Sequence, residues 1–419
     1  LGFLTNLARE WGDVVGFRVY HVRCLLVNDP ELIHEVLGPI ADEMRKPWDV
    51  RRLRLVLGDG LLTSEGALWR RQRDLIQPAF RHDRLVRYGD VMTAAADECL
   101  ERWPDGGELE IHDEMARLAL TVAARALFGS EVSGREETIG AALATFMDRF
   151  EDLVMGHTPF PWWVPTPGNL RSRRAVKRLR GIVEELVEDA RPAAGERDDL
   201  LGWLLTAEDE EGRSMSDEQV LDEATTLLLA GHETTALALT WTLHLLAEHP
   251  EIQECAADEA RWVLEGRAPA PSDLGELPYV KQAFHESMRL YPPAWGLGRE
   301  PRREVELGGY RVRKGTQIYM CPWVTHRDAR FFPEPERFLP HRWTKGSGAG
   351  VERRAYFPFG GGPRNCVGAG FATMEAHLVL ARLLQRFRFR PVPGHPVEVQ
   401  PAVTLRPRHG LRLRVGRRA

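Results

Sequence analysis

Cysteine is scarce in this chain: five thiols in 419 residues, at Cys24, Cys99, Cys255, Cys321 and Cys366, with no Cys-x-x-Cys pair among them. Such spacing supports neither a disulfide framework nor a cysteine-built zinc site, and a reducing cytoplasm is the expected compartment. Charge of one sign is lacking too. The 56 Lys and Arg stand against 61 Asp and Glu, leaving −5. That balance gives no reason to expect nucleic acid or an anionic membrane as a partner, although a local patch escapes a net count. Internal repeats, low-complexity tracts and a basic-apolar leader are all missing from the sequence as it stands. Only one long apolar stretch occurs, from Ala224 to Ala247, and its middle carries Gly231-His232-Glu233-Thr234-Thr235. An acid and hydroxyls there are costly in lipid. The stretch therefore reads as a buried internal helix, and no membrane span is expected.

What is present is a chain large enough for a buried cofactor, 43% hydrophobic and 28% charged. Residues 14–27 read as two short strands, after which Asp29-Pro30 opens a helix. From about 63 to 290 the pattern is mostly helical, broken by the Pro-rich stretch 159–167 (PFPWWVPTP) and a charged loop at 192–199. Strand signals return at 305–320, which looks like a hairpin with Gly308-Gly309 and Lys314-Gly315 at its turns. A helix from about 369 to 386 follows, then short β segments over about 390–415. The expectation is a mainly α chain with a small β part built from both ends, one domain over 1–419.

The most informative segment is Phe357-Pro-Phe-Gly-Gly-Gly-Pro-Arg-Asn-Cys-Val-Gly-Ala-Gly370. Its glycines let backbone come close to a flat ligand and leave amide N–H groups free to point at a sulfur. A helix start just after Cys366 favours thiolate over thiol. With no His close in sequence, an activated thiolate looks more like a metal ligand than a protease nucleophile. No Lys-Ser or Lys-Thr follows the glycines, which argues against a phosphate loop. Here the chain resembles the cytochrome P450 family. That family's haem signature, Phe-x-x-Gly-x-x-x-Cys-x-Gly, is matched by Phe359, Gly362, Cys366 and Gly368. The resemblance implies haem b, bound non-covalently, with Cys366 as axial ligand, Phe359 beside its sulfur and Arg364 on a propionate. It also implies the family's fold, a triangular helix-rich prism with haem between a long central helix and the cysteine-loop helix. Thiolate ligation favours O–O cleavage.

Ser216 and Gln219 form a capping-box pattern ahead of a helix running to about Glu248. In its middle, Ala230-Gly231 would let a flat group approach the backbone, and Thr234 can bond backward to a carbonyl. His232-Glu233 has no second His at 236, so a zinc-binding His-Glu-x-x-His is absent. The family's oxygen-activation motif, Ala/Gly-Gly-x-Asp/Glu-Thr-Thr/Ser, matches at every position, and Gly231 is expected beside the haem. By this resemblance Glu233 and Thr234 relay protons to distal oxygen. Glu is common at the place of Ala230 where haem is esterified to protein, so covalent attachment is not expected here.

Glu286 and Arg289 stand three apart on one helix face, and Pro335-Glu336-Arg337-Phe338 lies downstream. The family pattern implies a buried structural triad of Glu286, Arg289 and Arg337. Trp69 and Arg73 match the family's Trp-x-x-x-Arg, and with Arg299 they are expected on the propionates, where a planar guanidinium suits a carboxylate. By the same resemblance the distal wall takes residues near 46–61, Leu227, Ala230, Ala294, Trp295, Leu297, Val403 and Thr404, with 159–167 as a mobile lid. Mostly apolar lining implies a hydrophobic terpenoid, fatty acid or polyketide-like substrate. The implied activity is monooxygenation with O2 by a monomer. Electrons would come from a separate ferredoxin or flavodoxin with its reductase, an acidic donor docking near Arg70, Arg71, Arg353 and Arg354. A peroxide-using relative and a non-catalytic haem sensor remain alternatives, the first disfavoured by Glu233-Thr234 and the second by the want of an output domain.

Overall fold

The computed structural model describes residues 1–129, 138–142, 163–344 and 352–418. The chain divides into two compact units. The first comprises Leu1–Pro47, Met92–Ala116 and Thr234–Ala419, and the second Trp48–Val91 and Arg117–Glu233.

All twelve described strands belong to the first unit. β1 (Val14–Val19) and β2 (Val22–Val27) form the expected antiparallel pair, turning at Tyr20 with φ 53°. They are followed by β3 (Met44–Arg45), β4 (Gly107–Glu110), β5 (Leu297–Pro301), β6 (Val305–Leu307), β7 (Tyr310–Val312), β8 (Gln317–Met320), β9 (Phe387–Pro391), β10 (Val399–Pro401), β11 (Leu405–Pro407) and β12 (Arg412–Arg417). The largest sheet has the order β1-β2-β8-β5-β3. Its β2 and β8 run parallel, with Cys24 opposite Gln317 and Val27 opposite Met320. Both ends of the chain do build the β part. The hairpin at 305–320 is shorter than expected. Only β6 and β7 pair, across Gly308 and Gly309 at φ 56° and 80°. Beyond the Gly315 turn, β8 leaves for the main sheet. β4 was not foreseen. It is a four-residue edge whose partner, β12, lies at the other end of the chain.

Helix ends follow local chemistry. Asp29 caps the helix Pro30–Leu37, its side chain accepting from the N–H groups of Glu31 and Leu32. Ser216 and Gln219 exchange both capping-box bonds, at 3.1 and 3.3 Å, before the 32-residue helix Asp217–Glu248. At ~1.5 Å per residue that helix is about 48 Å long, and it runs from the second unit into the first. No described helix is long and apolar enough to cross a membrane.

In the second unit, a buried acid pair on the long helix stitches down the segment before residue 62. Asp222 accepts the Asp59 N–H at 2.7 Å and pairs with Arg180 at 2.8 Å, while Glu223 accepts the Leu61 N–H at 2.9 Å. Gln72 donates to the Asp59 carbonyl at 2.6 Å. The sequence carries no signal for this fastening of the expected substrate wall, because its partners lie more than 150 residues apart.

Besides His326, three histidines of the first unit are held neutral by burial. His244 and His285 are pushed down to about 4 and His377 to about 3. Unfolding would return each towards 6.5, so the unfolded chain binds more protons between that value and about 3–4. Stability from these groups is therefore full above about pH 6.5 and lost as pH falls. Denaturant midpoints at about pH 7 and pH 5 should show a clear drop, each proton adding a slope of up to about 1.4 kcal/mol per pH unit. A flat profile would contradict the burial.

Candidate functional site

The cysteine loop lies within the first unit. Gly360 N–H donates to the Phe357 carbonyl at 3.0 Å, and Cys366 N–H donates to the Phe359 carbonyl at 2.9 Å. At Gly362 the backbone has φ 63°, and a Cβ there would sit 1.8 Å from the Leu37 carbonyl oxygen. Only glycine fits. The chain then passes Arg364 and reaches Cys366 three residues before the helix Ala369–Arg386, which Gly368 precedes. Cys366 is exposed, whereas Cys24, Cys99 and Cys321 are buried. Phe359 and Arg364 are half-buried beside it in sequence.

On the long helix Leu227, Ala230, Gly231 and Thr234 recur at the spacing of one helical face. Three of these are half-buried and Ala230 is exposed, although most of their helix neighbours are buried. Glu233 (7%) and His232 (9%) are buried. On the helix Gly66–Ile76 Trp69 is buried and Arg73 half-buried, four residues apart on one face. Arg299 lies on β5, its Nη1 donating to the Gly298 carbonyl at 2.8 Å.

The structure brings the apolar residues after the helix Pro278–Leu290 up to the C-terminal strands. Leu405 N–H donates to the Pro293 carbonyl at 2.9 Å, and Trp295 Nε1–H to the Ala402 carbonyl at 2.8 Å. Ala294 and Val403 are half-buried there. Thr404 is mostly buried, its hydroxyl within 3.4 Å of Arg406 Nε. Leu297 packs with the core around Val27 and Phe357. Trp295 was expected on the substrate wall. It is half-buried and packs against the cluster that holds Val15, Leu26 and Val324, with its indole satisfied. Of the expected lid, residues 159–162 lie outside the described residues, and Trp163 is exposed.

The expected triad needs a different third member. Glu286 and Arg289 are fully buried and pair through bonds of 3.0 and 2.8 Å. Arg342 Nε reaches Glu286 at 3.1 Å and Trp343 Nε1 at 2.8 Å. Arg337 contributes only its backbone carbonyl, which accepts from Arg289 at 3.0 Å. Its side chain, 65% exposed, pairs with Glu334. Removing Arg342 leaves Glu286 short of buried counter-charge, so Arg342→Ala should lower unfolding stability by about 3–5 kcal/mol. Arg337→Ala should cost no more than about 1 kcal/mol. Equilibrium denaturation of both variants checks the assignment, and the reverse ranking would reinstate Arg337.

The expected docking patch is also reduced. Arg71 is an internal tie, bonded to Asp209 at 2.6 Å and to the carbonyls of Arg213 and Ser214 at 2.9 Å each. It holds the Asp209 carboxyl well below the usual carboxylate range. Arg354 pairs with Glu31, while Arg70 and Arg353 are exposed.

Comparison with known proteins decides the family: the Cytochrome P450 family model matches residues 2–413. The chain belongs to the cytochrome P450 family. Among its relatives, cyclooctat-9-en-7-ol 5-monooxygenase of Streptomyces melanosporofaciens is 39% identical, over 94% of this chain and 86% of that protein. Pentalenene oxygenase of Streptomyces avermitilis is 34% identical, over 99% and 92% respectively. A retinoic-acid-bound cyanobacterial CYP120A1 superposes with a TM-score of 0.89 at 27% identity, covering 99% of this chain and 93% of that one. This P450 is accordingly a haem-dependent monooxygenase that inserts an oxygen atom of O2 into a hydrophobic small molecule. Its cofactor is non-covalent haem b with a cysteine thiolate as axial ligand, and its electrons come from a redox partner.

Proposed function

We propose that Cys366 is the thiolate ligand, that Glu233 and Thr234 carry protons to the oxygen side of the haem, and that the substrate is a terpenoid. The observation that carries the first assignment is the loop itself. Its exposed thiol follows a glycine that no side chain could replace, and its amide is bonded back to Phe359. These residues fit the cofactor. Cys366 supplies a soft anionic donor at a helix start, and the small residues Ala230 and Gly231 give a flat ring room against the long helix. Arg364, Arg299, Arg73 and Trp69 are donors suited to the propionates. Phe359 and Gly368 flank the sulfur in the chain.

Bound haem supplies the reductive activation of O2, from which one atom enters the substrate and the other leaves as water. The protein's own task is to orient substrate and meter protons. Thr234, half-buried on the face it shares with Ala230 and Gly231, carries a hydroxyl that can donate and accept. Glu233 next to it can recharge that hydroxyl from its carboxyl oxygen. Ala294, Leu297, Val403, Leu227 and Ala230 are small or apolar and would hold a hydrocarbon skeleton, with Thr404 as a polar fixture.

Two relatives are named for oxidising cyclooctat-9-en-7-ol and pentalenene, which favours a terpenoid over a fatty acid or polyketide. The donor is read as a separate ferredoxin or flavodoxin, and the enzyme as a cytoplasmic monomer whose two units act as one catalytic domain. Five cysteines with no disulfide among the described residues are in keeping with a reducing compartment. Haem spin-state titration should find terpenoid hydrocarbons or alcohols binding more tightly than fatty acids or macrolactones. A fatty acid or macrolactone that bound best and was turned over best would overturn the substrate assignment.

A further inference from the structure

His326 follows the short helix Pro322–Thr325 and is fully buried. Its backbone carbonyl accepts from Arg289 at 2.8 Å, the same arginine that forks onto Glu286. Its ring Nε2 accepts the backbone N–H of Phe357 at 3.1 Å, where the cysteine loop begins. Nδ1 has no hydrogen-bond partner among the described residues. A ring nitrogen that accepts carries no proton, so this imidazole is neutral with its proton on Nδ1. Burial, with the cations Arg289 and Arg327 close by, holds it far below the usual histidine range. The acceptor therefore persists at any working pH. Tyr356, Phe357 and Phe332 enclose the ring at centroid distances of 5.2, 5.3 and 6.0 Å. On its other flank Asn28 fixes the turn, accepting from Thr325 Oγ1 at 2.7 Å and donating to Asp328 at 3.1 Å.

A half-satisfied imidazole is a costly way to fill a dry core, since leucine or phenylalanine would pack there without polar desolvation. What histidine adds is one acceptor aimed at one amide. We infer that His326 is a positioning residue that ties the start of the cysteine loop to the Glu286–Arg289 hub and so keeps the Cys366 sulfur in place to ligate. The inference rests on Cys366 being the ligand. From Phe357 the tie passes on through two further bonds, Gly360 N–H to Phe357 and Cys366 N–H to Phe359.

The test uses holoenzyme carrying His326→Gln, which keeps an acceptor near the Nε2 position, and His326→Leu, which removes it. The readouts are the decay of the thiolate-type carbon monoxide band on mild warming and amide hydrogen exchange in the peptide containing Phe357. His326→Leu should lose the band and expose the Phe357 amide roughly ten-fold faster than wild type, the cost of a buried N–H left without its acceptor. His326→Gln should stay near wild type, with exchange in the long helix unchanged in both. Equal rates for the two variants would overturn the inference. If His326→Leu does not accumulate, His326→Asn, whose oxygen falls near Nδ1 instead, takes its place, and Asn behaving like Gln would overturn it equally. A wild-type holoenzyme without the band at all would overturn the Cys366 reading, and the inference with it.

Discussion

Cys366→Ala is expected to abolish the red-shifted carbon monoxide band of the reduced protein and, with it, all oxygen-dependent turnover. No other thiol can stand in. Cys24, Cys99 and Cys321 are buried, and Cys321 donates its S–H to the Trp295 carbonyl at 3.0 Å. Burial pushes the Cys321 thiol up to about 11, the opposite of what a ligand needs. Cys255 is exposed, but it sits within the helix Pro250–Leu264, far along the chain from any glycine-rich loop. Cys255→Ala therefore serves as the control and should leave band and turnover intact. Haem content must be measured alongside, because a variant can retain haem through other contacts. A Cys366→Ala protein that kept the thiolate band would refute the assignment outright.

Thr234→Ala should leave haem and substrate binding in place while product formation falls by about 10²–10⁴-fold and reductant drains into hydrogen peroxide. The reason is positional. Thr225, Thr240 and Thr242 spend their hydroxyls on carbonyls one turn back, each at 2.7 Å, and are buried. Thr234 is half-buried and lies on the face it shares with Ala230 and Gly231, followed in the chain by the buried Thr235 and preceded by the buried Glu233. Thr240→Ala is thus the matched control and should couple normally. Glu233→Gln, which keeps hydrogen bonding but not the exchangeable proton, should slow product formation in the same direction. Coupling of product to reductant that is unchanged in Thr234→Ala would remove it from the relay.

Local chemistry made much of this molecule readable in advance. The cysteine loop, the capping box at Ser216 and the Asp29 cap are contiguous patterns whose partners lie within a few residues, so sequence alone exposes them. The third partner of Glu286 was not readable in that way. Arg337 and Arg342 lie five residues apart in an irregular stretch without periodicity, and only the folded turn decides which guanidinium faces inward. Trp295 shows a related limit of local pattern: a tryptophan in an apolar run suits a pocket or a core equally, and only the fold shows its indole bonded to Ala402. His326 and the Asp222–Glu223 pair escaped because what they hold is backbone from remote segments, and an amide leaves no mark in the sequence.

The parallel pairing of β2 with β8 also has a bearing on how this P450 is made. Both strands of the N-terminal hairpin have been synthesised by residue 27, yet the strand that covers its open edge begins at Gln317. During synthesis that edge presents unsatisfied backbone groups and the apolar side chains of Leu26 and Val27, which end fully buried. Closure over so long a loop is slow compared with helix formation. The early edge is the element from which chaperone dependence and inclusion-body formation on overexpression would arise, and slowing synthesis after β8 would do nothing to relieve either.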